Sequence, residues 1–148
     1  MEPEPGDEIS FPALLRAARR TYGRAIRVAL EEGGYDDIPA NGLFVLGAIA
    51  RSEAPLSEIV DALGVSKQAA GALVDTLVTR GYLDRRADPE DRRRLIVALT
   101  ARGDTAAEVI RDAAERVDAA LHEQVGADHV ARTRETLLAL VELGRADA

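Results

Sequence analysis

The stretch Ser57-Glu-Ile-Val-Asp61-Ala-Leu-Gly64-Val65-Ser66-Lys67-Gln68-Ala-Ala-Gly71-Ala-Leu73-Val74-Asp75-Thr-Leu77-Val-Thr79-Arg80-Gly81 contains two helix starts and two helix stops in close succession. Ser57, followed by acids and an apolar run, reads as a first start, and Gly64 ends that helix. Ser66 caps a second helix predicted from about Lys67 to Arg80, and Gly81 ends it. Only Gly64 and Val65 separate the two helices, a connection that suits a helix-turn-helix.

After Gly81 the pattern changes. Tyr82–Ala87 and Leu95–Leu99 read as short strands, and between them lies Asp88-Pro-Glu-Asp91-Arg92-Arg93-Arg94, a polar turn containing proline. The segment is a predicted hairpin with an arginine-rich tip.

Outward from this centre the pattern is helical. Phe11, Leu15, Ala18, Tyr22, Ala25 and Ala29 recur at steps of 4 and 3, the seam of a long amphipathic helix that Gly33-Gly34 stops. Leu43, Leu46 and Ile49 mark a shorter helix, with Asp37 as its cap and Pro39 in its first turn. Thr100 caps a helix with its seam at Ala106, Ile110, Ala113, Val117 and Ala120. A break near Gly126 leads to a last helix carrying Val130, Leu137, Leu140, Val141 and Gly144. The expected domain organisation is an acidic disordered tail over residues 1–10, helical dimerisation segments over 11–36 and 100–148, and a central module over 37–99.

At 148 residues, 47% apolar and 30% charged, the composition is that of a globular domain. The absence of cysteine excludes disulfides, thiolate metal sites and thiol redox sensing. No apolar run reaches the roughly 18 residues of a membrane span. Residues 1–8 hold four acids and no apolar run, so no signal peptide is read there and the cytoplasm is the expected compartment.

The net charge of −7 argues against a nucleic-acid partner, but its distribution does not. Ser66 to Arg94 hold seven basic and five acidic side chains inside an otherwise acidic chain. The helix after Ser66 has an apolar side (Ala70, Leu73, Val74, Leu77) and a polar side (Lys67, Gln68, Gly71, Asp75, Thr79). Small residues permit close approach to a DNA major groove, Gln68 has the amide that pairs bidentately with adenine, and Lys67 donates to guanine or phosphate. On the hairpin, Arg92, Arg93 and Arg94 suit the negative potential of a narrow minor groove, with Asp91 placed to orient the Arg93 guanidinium. Without the hairpin, Lys67 and Gln68 read as an ordinary solvated face; without the helix-turn-helix, so do the arginines.

Leu63-Gly-Val-Ser66-Lys67-Gln68-Ala-Ala-Gly71, Leu73 through Leu83, Asp88-Pro-Glu-Asp91-Arg-Arg93 and Leu99-Thr-Ala-Arg-Gly103 together resemble the MarR family of winged helix-turn-helix repressors. The resemblance covers the whole chain in element order and is most specific over residues 57–103. It implies a mainly α fold with a small β-hairpin wing, and a homodimer formed by the N- and C-terminal helices. Each winged module then reads half of a palindromic operator. It places Ser66, Lys67, Gln68 and Gly71 on the recognition helix, and Asp91 and Arg93 at the Asp-x-Arg positions of the wing. Many members carry a polar residue and then arginine where this chain has Gly71-Ala72. The family also implies release of DNA by a small anionic or phenolic effector, whose pocket the sequence does not place. Arg16, Arg20, Arg24 and Arg27 form a basic stripe on the first helix, and Asp104, Glu108, Asp112 and Glu115 an acidic one on the fifth. These stripes are either solvated faces and mutual ion pairs, or a site where an arginine holds an anion.

No cofactor or metal is expected: His122 and His129 are the only histidines, seven positions apart. No nucleophile–base pair or glycine-rich phosphate loop is present, so an enzyme is not expected. The alternative to a DNA-binding regulator is a winged-helix adaptor for another protein, which the net acidity and Gly71-Ala72 favour.

Overall fold

The computed structural model describes residues 9–50, 54–55, 57, 61 and 64–146. The element order is α1 (Phe11–Glu32), α2 (Gly42–Ile49), β1 (Ala54–Pro55), α3 (Lys67–Thr79), β2 (Leu83–Ala87), β3 (Leu95–Leu99), α4 (Ala101–Val125) and α5 (Ala127–Ala146). Most of the helix expected from Ser57 and most of the acidic tail lie outside the described residues. The chain divides into two units, one through Ala114 and one from Glu115.

In the first unit, α1, α2, α3, the sheet and the first part of α4 share one core. Its centre is Leu43, Val45, Leu46, Val74, Leu77, Tyr82, Leu83 and Val97, with Ile26, Ala29 and Leu30 from α1 and Ala106, Ile110 and Ala113 from α4. The seam read for α4 faces the core at Ala106, Ile110 and Ala113, whereas that of α1 reaches it only at Ala29, with Tyr22 packed against it and Phe11 and Ala18 exposed. α1 ends as expected: Gly33 caps it, and Gly34 takes φ +83°, a conformation that favours glycine.

Two expectations need correction. Asp37 does not cap α2, and Pro39 precedes its first turn; the helix begins at Gly42 with Asn41 as N-cap and no side-chain cap bond. The Asp37 carboxylate is taken by long-range partners described below. Gly42 lies so close to the core that an added β-carbon would stand 3.1 Å from Ile38 and 3.3 Å from Leu77. The sheet also has a third strand. β3 lies in the middle, β2 pairs with it antiparallel from Leu83↔Leu99 to Ala87↔Leu95, and β1 adds Ala54↔Val97 and Pro55↔Ile96 on the other side. A proline is tolerated there because β1 is an edge strand. Ile96, Val97 and Ala98 of the central strand are all buried.

The second unit holds the C-terminal part of α4 and the whole of α5, separated by Gly126 at φ +85°. Leu137 is half-buried, and Leu138, Leu140, Val141 and Leu143 are exposed. No α5 residue is buried.

Candidate nucleic-acid interface

The module rests on the cap of α3. Ser66 is extended (φ −62°, ψ 151°), and its hydroxyl accepts the Ala69 N–H at 3.1 Å. This sets where the helix begins, and with it which side faces outward. Ala70, Val74 and Leu77 are buried, while Lys67, Gln68, Ala72, Asp75 and Thr79 are exposed. A β-carbon added to Gly71 would meet nothing within 4 Å. The glycine therefore answers no packing need among the described residues and leaves a shallow place on the outer face. The helix ends at Arg80, and Gly81 takes φ +80°.

The wing tip is built by its two aspartates. Asp88 Oδ1 accepts the Glu90 N–H at 2.9 Å, and the Asp88 N–H donates to the Arg94 carbonyl at 2.9 Å. Asp91 Oδ1 accepts the Arg93 N–H at 3.0 Å, and the Arg94 N–H donates to the Asp91 carbonyl at 2.9 Å. These are aspartate-stabilised turns, in which a short carboxylate replaces a missing backbone acceptor. The expectation that Asp91 orients the Arg93 guanidinium is corrected: Asp91 holds the main chain. Arg92, Arg93 and Arg94 are exposed and make no ion pair among the described residues. The acids of the turn shape it, and its cations stay available.

Helix and wing are joined at their bases. Arg85 on β2 pairs with Asp75 on α3. This removes the one bare negative charge from the outer face of the helix and connects the strand that leads to the tip.

A second cluster, which the sequence reading missed, locks the module to the start of α4. The Tyr82 hydroxyl donates to Asp37, and Arg80 donates to the Asp37 carbonyl. Arg102 reaches the same carboxylate at 3.3 Å, donates to the Arg80 carbonyl at 2.6 Å, and lies 4.3 Å from the centre of the Tyr82 ring. The Tyr82 hydrogen bond holds the Asp37 carboxyl below its usual range, with Arg102 and Arg80 adding to the effect against a partial desolvation. Burial pushes the Tyr82 phenol well above its ordinary value, and the bond to Asp37 acts in the same direction. Thr100 adds two more bonds: its hydroxyl donates to the Gly81 carbonyl at 2.6 Å and accepts the Gly103 N–H at 3.0 Å. The only sequence trace of this joint was Leu99-Thr-Ala-Arg-Gly103.

The histidines are not brought together as ligands. His122 and His129 each place Nδ1 2.8 Å from the carbonyl four residues earlier, that of Asp118 within α4 and that of Val125 at the end of α4 respectively. No cluster of metal-ligating side chains occurs among the described residues.

Residues 37–94 match the family model described as MarR family. Apo MarR from E. coli is similar over 90% of this chain and 97% of its own length, at 27% identity and a TM-score of 0.65. By this segment and this likeness the chain resembles the MarR-family transcriptional regulators over its winged-helix region. Two further structures share the fold. FabT from Streptococcus pneumoniae, solved in complex with DNA, is 16% identical over 91% of this chain and 95% of its own, with a TM-score of 0.73. NadR in complex with 4-hydroxyphenylacetate is 19% identical over 93% and 96%, with a TM-score of 0.75. No curated sequence matches the chain. As in these neighbours the fold is a winged helix, with β2–β3 as its wing. No helix among the described residues is long and apolar enough to cross a membrane.

Proposed function

We propose that this chain is a cytoplasmic, sequence-specific DNA-binding regulator of the MarR family, a repressor, that acts as a homodimer on a palindromic operator and is released by a small-molecule effector. The observation that carries the reading is the wing tip, where two aspartates are committed to the backbone and three consecutive arginines are left exposed without ion pairs among the described residues. Phosphate contacts by such side chains supply most of the affinity, and base-edge contacts set the sequence. On the recognition helix, Ser66, Lys67, Gln68 and Gly71 are the groove-facing set; on the wing they are Asp91, Arg92, Arg93 and Arg94, with Asp91 acting through the backbone of the turn.

The dimer is supported by the apolar side chains that each unit leaves exposed, Phe11 and Leu14 on α1 and Leu138, Leu140, Val141 and Leu143 on α5. Faces of this kind are covered in assemblies. Pairing two modules raises their effective concentration on DNA, with half-sites about 10 base pairs apart. Release requires an effector that binds the DNA-incompetent arrangement more tightly.

The test is fluorescence anisotropy with DNA from upstream of the protein's own coding region, across a salt series. The expected result is specific binding whose log affinity falls linearly with log salt. Absence of binding at low salt, with the fold intact, overturns the reading. The adaptor alternative has one observation in its favour: Ala69, Ala72 and Gly71 leave the outer face of α3 short of donors beyond its first turn.

A further inference from the structure

We propose that α3 reads thymine by its methyl group: each half-site carries thymines whose C5 methyls lie against the side chains of Ala69 and Ala72, beside an adenine held by Gln68. The inference rests on the DNA-binding reading above and adds the base chemistry that α3 selects.

The outer face of α3 changes character after one turn. Lys67 and Gln68 are exposed, and neither side chain makes a hydrogen bond or ion pair among the described residues. Between Gln68 and Thr79 the exposed positions are Ala69, Ala72 and Asp75. The polar groups of that stretch are already engaged. Asp75 pairs with Arg85, and the Thr76 hydroxyl donates to the Ala72 carbonyl at 2.9 Å. No arginine lies within α3, and Arg80 at its end donates to the Asp37 carbonyl. The commonest contact to guanine is a bidentate arginine or lysine, so this helix reads guanine only beside Lys67. Cytosine needs an acceptor for its amino group, and the Asp75 carboxylate is occupied.

What remains on this face is methyl. Ala72 stands one turn beyond Gln68 on the same side of the helix, and Ala69 and Ala72 are neighbours across a turn. Thymine is the base that carries a methyl into the major groove, and alanine is among the side chains that contact it. An alanine methyl is one bond from the main chain, so the contact requires the helix backbone close to the base edges. Gly71 adjoins Ala72, and a β-carbon there meets nothing within 4 Å; without a side chain, this position does not hold the backbone away. Gln68, one turn nearer the N-terminus, presents the amide that pairs with adenine N6 and N7. An apolar face also suits a protein partner, but the charges around it favour a polyanion. Arg85 cancels the one carboxylate of the face, and on the wing that Arg85 ties to α3, Arg92, Arg93 and Arg94 stand exposed without ion pairs among the described residues.

The full chain is first used to enrich duplexes from a pool with a random central region, and the bound duplex is then modified one position at a time. Replacing thymine by deoxyuridine removes only the methyl. At one or two positions of each half-site this is expected to weaken binding about fourfold per methyl, the worth of one buried methyl group. A cytosine at the same position is expected to bind poorly, and 5-methylcytosine, which restores the methyl, to recover about fourfold. In Ala72→Gly or Ala69→Gly the matching deoxyuridine replacement is expected to cost nothing, whereas in Arg93→Gln it costs as much as in wild type. Circular dichroism checks that each variant is folded. Specific binding that is indifferent to every thymine methyl overturns the proposal and leaves the DNA-binding reading standing. So does a methyl effect that persists unchanged in both alanine variants, which assigns it to duplex shape or to another side chain. If the folded protein enriches no duplex and binds none at low salt, both readings fail and the apolar face of α3 belongs to a protein contact.

Discussion

The backbone carbonyl of Tyr82 occupies the place where a β-carbon on Gly103 would have to stand. Gly103 is buried in the first turn of α4, and its contact with Tyr82 sets how closely that helix meets the end of α3 and the start of the wing. The obstacle is backbone, which does not swing aside as a side chain would. Gly103→Ala is therefore expected to destabilise the fold by about 2 kcal/mol or more. Urea denaturation checks this; an unchanged midpoint would show that the joint yields without strain.

The same joint has a pH signature. Asp37 titrates below its ordinary value of 3.8 in the folded state. A depressed carboxyl contributes stability that is present above the unfolded value and is lost as the pH falls through the folded one. Acid titration is thus expected to weaken the fold below about pH 4, and Asp37→Asn to flatten that part of the curve. Tyr82 has the opposite sense. Its raised phenol contributes stability that is full below the ordinary value of 10.0 and is lost as the pH climbs above it. Tyr82→Phe is expected to remove the alkaline limb while lowering stability at neutral pH, because Asp37 loses a donor. Stability curves of the three proteins against pH, followed by circular dichroism, provide the measurement.

The legibility of these features in the sequence follows their range. Ser66, Gly34 and Gly81 act on neighbours three or four positions away, so caps and stops could be read directly. The core seam of α4 follows from a 3–4 repeat, which is also local; the same repeat in α1 did not show that Phe11 and Ala18 stay exposed. Asp37 was misread because a lone aspartate before an apolar run looks like a cap, while its partners Tyr82 and Arg102 stand 45 and 65 positions along the chain. β1, two residues long and containing Pro55, is too short for any alternation to register. In the wing, the spacing of Asp91 and Arg93 suggested a side-chain pair because composition does not distinguish a guanidinium from a backbone N–H. The stripe Arg16, Arg20, Arg24 and Arg27 on α1 was visible; that Arg19, outside it, lies over the Phe44 ring was not.

Gly71 allows stability and function to be separated. A glycine inside a helix costs roughly 0.5–1 kcal/mol relative to alanine. A β-carbon here meets nothing within 4 Å, so Gly71→Ala is expected to raise stability by about that amount. If the outer face of α3 enters a DNA groove at this position, the same change weakens operator binding by several-fold. Paired denaturation and anisotropy measurements check both halves. A gain in stability with no change in binding would mean that the helix does not approach DNA closely at Gly71.

The wing makes the sharpest test of phosphate recognition. Arg93→Ala removes an exposed side chain with no ion-pair partner among the described residues, so the folded state should keep its stability within about 0.5 kcal/mol. DNA affinity should fall about tenfold, and the slope of log affinity against log salt should become shallower by about one phosphate contact. Asp91→Ala provides the complementary case. It leaves all three arginines in the sequence but removes the acceptor that holds the Arg93 N–H at 3.0 Å. Loss of affinity with an unchanged salt slope is expected, because the cations remain while their placement relaxes. If Asp91→Ala instead strengthens binding, removal of a negative charge outweighs the shape of the turn, and the wing acts as a diffuse cationic patch with no defined geometry.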